Sequence, residues 1–340
     1  MTERRPHTLA STRRPLHDEH DAILLDLDGV VYVGADAVPG ASAALTSAVD
    51  AGAQLAYLTN NAARPAGVVA DHLRELGMPV QADGDVVTSA QAVSELVAAA
   101  VPAGSRVLLV GGPGLREPLE AAGLVCVSEL ADQPVAVVQG YHADVGWTQL
   151  AEASYAVESG LPWFASNTDL TIPTARGVAP GNGALVHAVR LATGAEPRVA
   201  GKPERPLFDE TLRRIPAERP LMVGDRLDTD IDGAIGAGIA SLAVLTGVSS
   251  LADLFAAGPG HRPDHVGADL GALGVDHPPV ELAGETARCG GAEATLVGDR
   301  VEIRGADARD VTALRAAVQL AWSIRDTSGR DVLPGGTLEP

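Results

Sequence analysis

Short apolar runs and longer stretches of helical period alternate along most of the chain. The runs cover 22–27, 54–59, 106–110, 124–127, 134–139, 163–165, 221–223 and 241–245, and are rich in Val and Leu. They are short and close on Gly, Asp or Asn, as strands buried on both faces of a parallel sheet do. Between them, 41–51, 66–76, 90–100, 148–158, 184–193 and 206–214 read as helices. Strand alternating with helix predicts an α/β, doubly wound parallel-sheet architecture. The pattern changes after a Pro/Gly/His-rich stretch at 258–264 and a second break at 274–279. Beyond that break the chain reads as a hairpin (294–297 and 301–304 around Gly298-Asp299) and a helix over 311–325. Leu314, Val318 and Trp322 recur at i, i+4 and i+8, on one helical face. This α+β C-terminal unit of about 60 residues lies near the lower size limit for a core of its own.

With 340 residues the chain exceeds one ordinary core and predicts two or three domains. Hydrophobic residues are 46% and charged residues 20%, a globular balance; aromatics are 3%, so Ala, Val and Leu build the core. The formal net charge of -19 argues against nucleic acid and anionic membrane as partners. It also repels a phosphorylated ligand, so a phosphate site would need a local cation or backbone N–H groups. No apolar run reaches membrane-spanning length. Residues 1–19 hold paired arginines with no apolar stretch behind them, and read as a disordered tail rather than an export signal. Cys126 and Cys289 lie far apart in no metal-ligand spacing. A disulfide stays open, but free thiols in a reducing cytosol fit better, so a cytoplasmic location is expected.

Four strings carry chemistry. In Ile23-Leu24-Leu25-Asp26-Leu27-Asp28-Gly29 an apolar strand runs into Asp-x-Asp-Gly. Ligands of parallel sheets sit at the carboxyl ends of strands. Two carboxylates together repel, and a divalent cation removes that repulsion; an Asx turn is the alternative. Tyr57-Leu58-Thr59-Asn60-Asn61 ends a second strand in a hydroxyl and two amides, suited to phosphate oxygens or to a helix N-cap. Gly201-Lys202-Pro203 holds one ammonium in a defined loop. Leu221-Met222-Val223-Gly224-Asp225 ends a third strand in a carboxylate, followed by Asp228, which reads as a helix cap, and Asp230.

Together and in this order, these strings resemble the haloacid-dehalogenase superfamily, in the subclass of phosphatases with a type-two cap. The resemblance covers roughly 20–265, and the whole chain resembles actinobacterial glycerol-3-phosphate phosphatases. Val30-Val31-Tyr32 follows the first motif in place of a long helical insert, and a long insert separates the second motif from the third. Val137-Val138-Gln139-Gly140-Tyr141, Asn167-Thr168-Asp169 and Pro180-Gly181-Asn182-Gly183 match cap strings of the subclass.

The resemblance implies a catalytic core over 20–80 and 182–265, an inserted α/β cap over 81–181 that sets specificity, and a small unit over 276–330. It implies a phosphomonoester hydrolase with Asp26 as nucleophile, Asp28 as acid and base, and Lys202, Thr59, Asn60 and Asn61 on the phosphate. Asn167 and Asp169 would face the substrate. Mg2+ would be held by Asp26, Asp28 through its main-chain carbonyl, and Asp225, with Asp230 behind them or paired with Lys202. The expected ligand is a small phosphomonoester, glycerol 3-phosphate first. A nucleotide, a sugar phosphate, pyridoxal phosphate or phosphoglycolate stay open, as do a non-catalytic phospholigand-binding protein and a homodimer. Two strings point elsewhere and are set aside. Val110-Gly111-Gly112-Pro113-Gly114 starts like a dinucleotide fingerprint but lacks its third glycine. Arg288 to Glu293 approaches an acetyltransferase pyrophosphate loop but ends in Glu where a small residue is needed.

Overall fold

The computed structural model describes residues 8–174 and 176–336. It divides into two compact units: Met1–Leu55 with Leu76–Pro79 and Ala217–Pro340, and Ala56–Glu75 with Val80–Pro216.

In the first unit four parallel strands lie side by side in the order His265–Gly267, Ala240–Val244, Pro220–Gly224, Ala22–Asp26. The register pairs Leu25 with Val223, so Asp26 ends its strand beside Gly224-Asp225. Ile23, Leu24, Leu25, Leu221, Met222 and Val223 are fully buried, as expected for strands covered on both faces.

In the second unit a five-stranded parallel sheet runs Arg198–Val199, Trp163–Ala165, Ala136–Gln139, Arg106–Val110, Val125–Val127. The helices Trp147–Glu158 and Asn182–Thr193 bury Ala153, Ala156, Val186 and Val189 against it. Residues 182–199 therefore pack with this sheet, and 182–216 fall in the second unit, whereas the resemblance assigns them to the core. The Gln54–Thr59 strand crosses from the first unit into the second, where it pairs in parallel with Val86–Thr88. The strands Val86–Thr88 and Arg198–Val199, three and two residues long, are not among those expected from the sequence. The Thr171–Thr174 and Gly177–Pro180 hairpin is likewise illegible there, because its prolines read as breakers.

The disordered tail expected over 1–19 needs correction. Residues 1–7 lie outside the described residues, but 8–19 are tied down. Leu9 and Leu16 are buried, and the Leu9 N–H donates to Gln319 Oε1 at 2.7 Å. The Ala10 and Thr12 N–H groups donate to the carbonyls of Asp264 and His277. Two buried leucines in a polar stretch make no pattern, so the sequence offers no signal for this segment.

The C-terminal residues do not form a core of their own. An antiparallel sheet built on Thr286–Cys289, Ala292–Val297 and Arg300–Arg304 packs against the helix Val311–Ser328. That helix shares one cluster with Ala243, Leu254, Phe255 and Val266. Trp322 is fully buried and its Nε1 donates to the Leu254 carbonyl at 2.7 Å. The Arg262 guanidinium lies 4.8 Å from the Trp322 ring centroid and forks onto Asp326 with two 2.7 Å bonds.

A buried basic cluster joins the same segments. His277 Nε2 lies 3.0 Å from the Ala272 carbonyl, which puts the proton on Nε2 and leaves Nδ1 as acceptor. Arg315 and His265 Nδ1 approach that Nδ1 at 3.3 Å each. Arg315 also donates to the carbonyls of Ala10 and Pro278. Burial, with the neighbouring charges of His277, Arg315 and His20, pushes His265 down to about 2. Burial, reinforced by the Arg315 charge and only partly offset by the hydrogen bond to the Ala272 carbonyl and by Asp276, pushes His277 down to about 4.

Two outcomes are expected. Trp322→Ala should cost about 3–5 kcal/mol in urea unfolding, and a chain cut after Val275 should not be recovered folded, because Leu254, Phe255 and Val266 lose their cover. A cut chain that melts like the full one would contradict the shared core. The second concerns pH. Both histidines bind protons less readily folded than unfolded, so their contribution is complete above about pH 7 and lost as pH falls from about 6.5 toward 4 for His277 and toward 2 for His265. Each adds a slope of at most about 1.4 kcal/mol per pH unit. Urea midpoints that stay flat between pH 7.5 and 5 would contradict this.

Candidate active site

Asp26 ends an apolar strand, and the chain turns at once. The Leu27 carbonyl accepts from the N–H groups of Val31 and Tyr32, and the Gly29 N–H donates to Tyr32 O. Gly29 sits at φ +92°, and a Cβ there would lie 2.6 Å from Asp225 Oδ2. Only glycine meets both conditions. Asp225 is 1% exposed, and its Oδ2 accepts the Val248 N–H at 2.6 Å. A Cβ at Gly247 would collide with the same carboxylate.

Asp230 follows on a π-helical turn, Leu227–Ile231, of the kind that recurs at functional sites. It is 1% exposed, its Oδ2 accepts the Arg226 N–H at 3.1 Å, and a Cβ at Gly224 would overlap its side chain. One oxygen each of Asp26, Asp225 and Asp230 lie within 4.8 Å of one another. Among the described residues this is the one such group of three or more metal-ligating side chains. Three carboxylates, two of them buried, repel strongly unless a cation lies between them, and an all-oxygen set suits a hard divalent ion.

Asp230, expected behind the ligands, thus places its carboxylate with Asp26 and Asp225. The Asp28 carboxyl is exposed and outside that group, which leaves it open to water. Asp228 is no helix cap. It is exposed and forked by Arg226 at 3.0 and 2.7 Å, which holds its carboxyl below the usual range.

In the second unit Thr59 is buried at the end of its strand, and its Oγ1 accepts the Asn61 N–H at 3.0 Å. Asn61 Oδ1 accepts the Ala63 N–H, an Asx turn. Lys202 is 2% exposed. Asn60 Oδ1 accepts the Lys202 N–H at 2.8 Å, and Asn60 Nδ2 donates to the Lys202 carbonyl at 3.0 Å and to Asp169 Oδ1 at 3.3 Å. Asn167 Nδ2 donates to the Asn60 carbonyl at 2.6 Å, and its Oδ1 accepts the Asp169 N–H at 3.2 Å. The structure therefore brings Asn60, Asn167, Asp169 and Lys202 together, with two side chains making bonds other than those expected of them. Asn60 is expected on the phosphate and Asn167 on the substrate, yet both spend their amides on protein groups. Ser89 and Asn182 join this network without a sequence expectation: Ser89 Oγ donates to Asn60 O at 2.6 Å and Asn182 Nδ2 to Asn167 O at 2.7 Å. Asn182 sits in Pro180-Gly181-Asn182-Gly183, which could have pointed to it.

The dinucleotide-like glycines have a packing reason. A Cβ at Gly112 would strike the His142 ring, and one at Gly114 the backbone of Ala62 and Ala63. Cys126 and Cys289 are both free. No helix of the described residues is long and apolar enough to cross a membrane.

Comparison with known proteins agrees with this geometry. A family model described as haloacid dehalogenase-like hydrolase matches residues 23–125, and a second HAD-hydrolase-like model matches 199–273. The chain is 42% identical over 317 residues to the D-glycerol 3-phosphate phosphatase of Mycobacterium tuberculosis, covering 92% of this chain and 88% of that protein. It is 35% identical over 238 residues to an acid sugar phosphatase of Staphylococcus aureus, covering 69% and 90%. A crystal structure of glycerol phosphate phosphatase from M. tuberculosis in complex with magnesium superposes with a TM-score of 0.83, at 40% identity and 95% coverage of both chains. With its strand-end carboxylates and its match to phosphatases over nearly its whole length, the chain belongs to the haloacid dehalogenase-like hydrolases.

Proposed function

We propose that this chain is a Mg2+-dependent phosphomonoester phosphatase that acts through a phosphorylated Asp26, with glycerol 3-phosphate as its preferred substrate. The observation that carries the reading is the group of Asp26, Asp225 and Asp230 at the carboxyl ends of two adjacent parallel strands. Their donor set fits Mg2+, which Asp26, Asp225 and Asp230 would hold with the Asp28 main-chain carbonyl. When bound, the ion offsets the repulsion between an anionic nucleophile and an anionic phosphate.

Each residue takes one part of the reaction. An Asp26 carboxylate oxygen attacks phosphorus, the bond from phosphorus to the substrate oxygen breaks, and Asp28 gives its proton to the leaving alkoxide. Water then attacks the phosphorus of the acyl phosphate and Asp28 takes its proton. The phosphorus bond to Asp26 breaks, releasing inorganic phosphate. One residue serves as acid and then base because leaving group and water occupy the same side in turn; the exposure of Asp28 suits that task. Thr59 Oγ1 and the Lys202 ammonium stabilise the non-bridging oxygens. In a chain of net charge -19, Lys202 also supplies the local cation that a phosphate needs. The 81–181 segment is proposed to select the leaving group.

Several observations support the substrate assignment. A curated relative matched over 92% of this chain is, by its name, a D-glycerol 3-phosphate phosphatase. Trp163 and Phe164, the aromatics that precede the Asn167–Asp169 turn in sequence, are 4% and 0% exposed within their strand and are not available to stack a base or pyridine ring. Asp169 offers a short polar group for a hydroxyl.

Two assays test this. Asp26→Asn should keep the melting temperature and lose at least about a thousandfold in kcat, roughly 4 kcal/mol of barrier; chelation should abolish wild-type turnover and Mg2+ restore it. More than a tenth of activity in the variant, or full activity after exhaustive chelation, would overturn the mechanism. Across glycerol 3-phosphate, pyridoxal phosphate, uridine monophosphate and phosphoglycolate, the first should show the highest kcat/KM. If another wins tenfold or more, the substrate assignment falls while the phosphatase stands.

A further inference from the structure

Asn60 lies one residue beyond a strand end, where a phosphate-binding amide would be expected. Its side chain is occupied in a different way. The carboxamide faces the main chain of Lys202 and makes both hydrogen bonds that a neighbouring strand would make: Oδ1 takes the N–H at 2.8 Å and Nδ2 gives to the carbonyl at 3.0 Å. The other Nδ2 hydrogen goes to Asp169 Oδ1 at 3.3 Å. An amide has two donor hydrogens, and both are used.

The peptide that carries this amide is itself held. Asn60 O accepts from Ser89 Oγ and from Asn167 Nδ2, both at 2.6 Å. The approaching loop is held from its other side, where the Gly201 N–H donates to Ser166 O at 2.7 Å. A Cβ at Gly201 would lie 2.6 Å from Asn60 Oδ1 and 2.6 Å from Ser166 O, so the loop passes Asn60 only as glycine. Asn60 and Asn167 are 9% and 4% exposed, and Lys202 is 2% exposed, so these bonds form away from competing water.

We propose that Asn60 is a positioning residue: its carboxamide clamps the main chain of Lys202 and one oxygen of Asp169, and it acts on the reaction only through the placement of Lys202. The clamp grips peptide groups, so it fixes where the lysine stem begins whatever that side chain does. Replacing the amide by a carboxylate of the same shape sets an acceptor against the Lys202 carbonyl and a negative charge against Asp169. The predicted result is a displaced Lys202, with no donor removed from the phosphate itself. The proposal rests on the phosphatase reading and on the role given there to Lys202.

A double-mutant cycle tests it. Asn60→Asp in the wild-type background should lower kcat/KM for glycerol 3-phosphate about a hundredfold, with the melting temperature within about 5 °C. In a Lys202→Ala background the same substitution should cost less than about threefold, because the residue it positions is gone. An undiminished hundredfold loss in that background would overturn the proposal and give Asn60 its own contact with the phosphate. If the double variant turns over too slowly, the cycle is read from the binding of inorganic phosphate with Mg2+, where the same two outcomes apply. If Asn60→Asp does not fold, Gly201→Ala replaces it, since its Cβ forces the loop off Asn60 while leaving Asn60 and Lys202 intact. Lys202→Ala at full activity would instead strike the role of Lys202 in the phosphatase reading.

Discussion

Mutual repulsion of carboxylates is the constraint on which the catalytic end of the first unit is built. Asp26, Asp225 and Asp230 bring one oxygen each within 4.8 Å, and two of the three are buried. Such an arrangement is unfavourable in itself, and the surrounding backbone leaves the side chains few alternatives. The parallel register sets Asp26 beside Gly224-Asp225, and the π-helical turn swings Asp230 back toward the same strand end. Glycines at 29, 224 and 247 occupy the positions where any side chain would collide with Asp225 or Asp230. Main-chain N–H groups of Val248 and Arg226 take one oxygen of each buried carboxylate, fixing its orientation. The charge is concentrated in advance, and a divalent ion is the natural counterpart.

The second unit has an opposite task, to hold the loop that carries an ammonium in an acidic protein. Its answer is a set of neutral amides. Asn60, Asn167 and Asn182 bond main-chain groups of one another's loops and of Lys202. Neutral amides are cheaper to bury than charges even where one acceptor, Asn182 Oδ1, finds no partner among the described residues, and they carry no field that would compete with the lysine for an anion.

The N-terminal segment and the C-terminal helix belong to the body that carries Asp26 and Asp225. The indole of Trp322 lies under Leu254 and Arg262, and Arg315 reaches the carbonyls of Ala10 and Pro278. Too small to bury its own apolar face, this sheet and helix complete the core they cover.

By itself the sequence determined the α/β architecture, the eight main strands, the hairpin and helix of the C-terminal residues, and the strand ends that carry Asp26, Thr59 and Asp225. These come from period and from polar residues at the ends of apolar runs, which are local properties. It also carried the order of the four motifs, whose resemblance to a known superfamily pointed to Mg2+ and a phosphomonoester. Tertiary structure alone decided that Asp230 stands with the two other carboxylates, that Asn60 and Asn167 face the protein, that Asp228 pairs with Arg226, and that residues 8–19 are anchored. Each of these depends on where folding carries the chain, most plainly where the partner is far away in sequence, as Lys202 is from Asn60 and Gln319 from Leu9. A side chain's type states which bonds it can make; only folding determines which distant group arrives to make them.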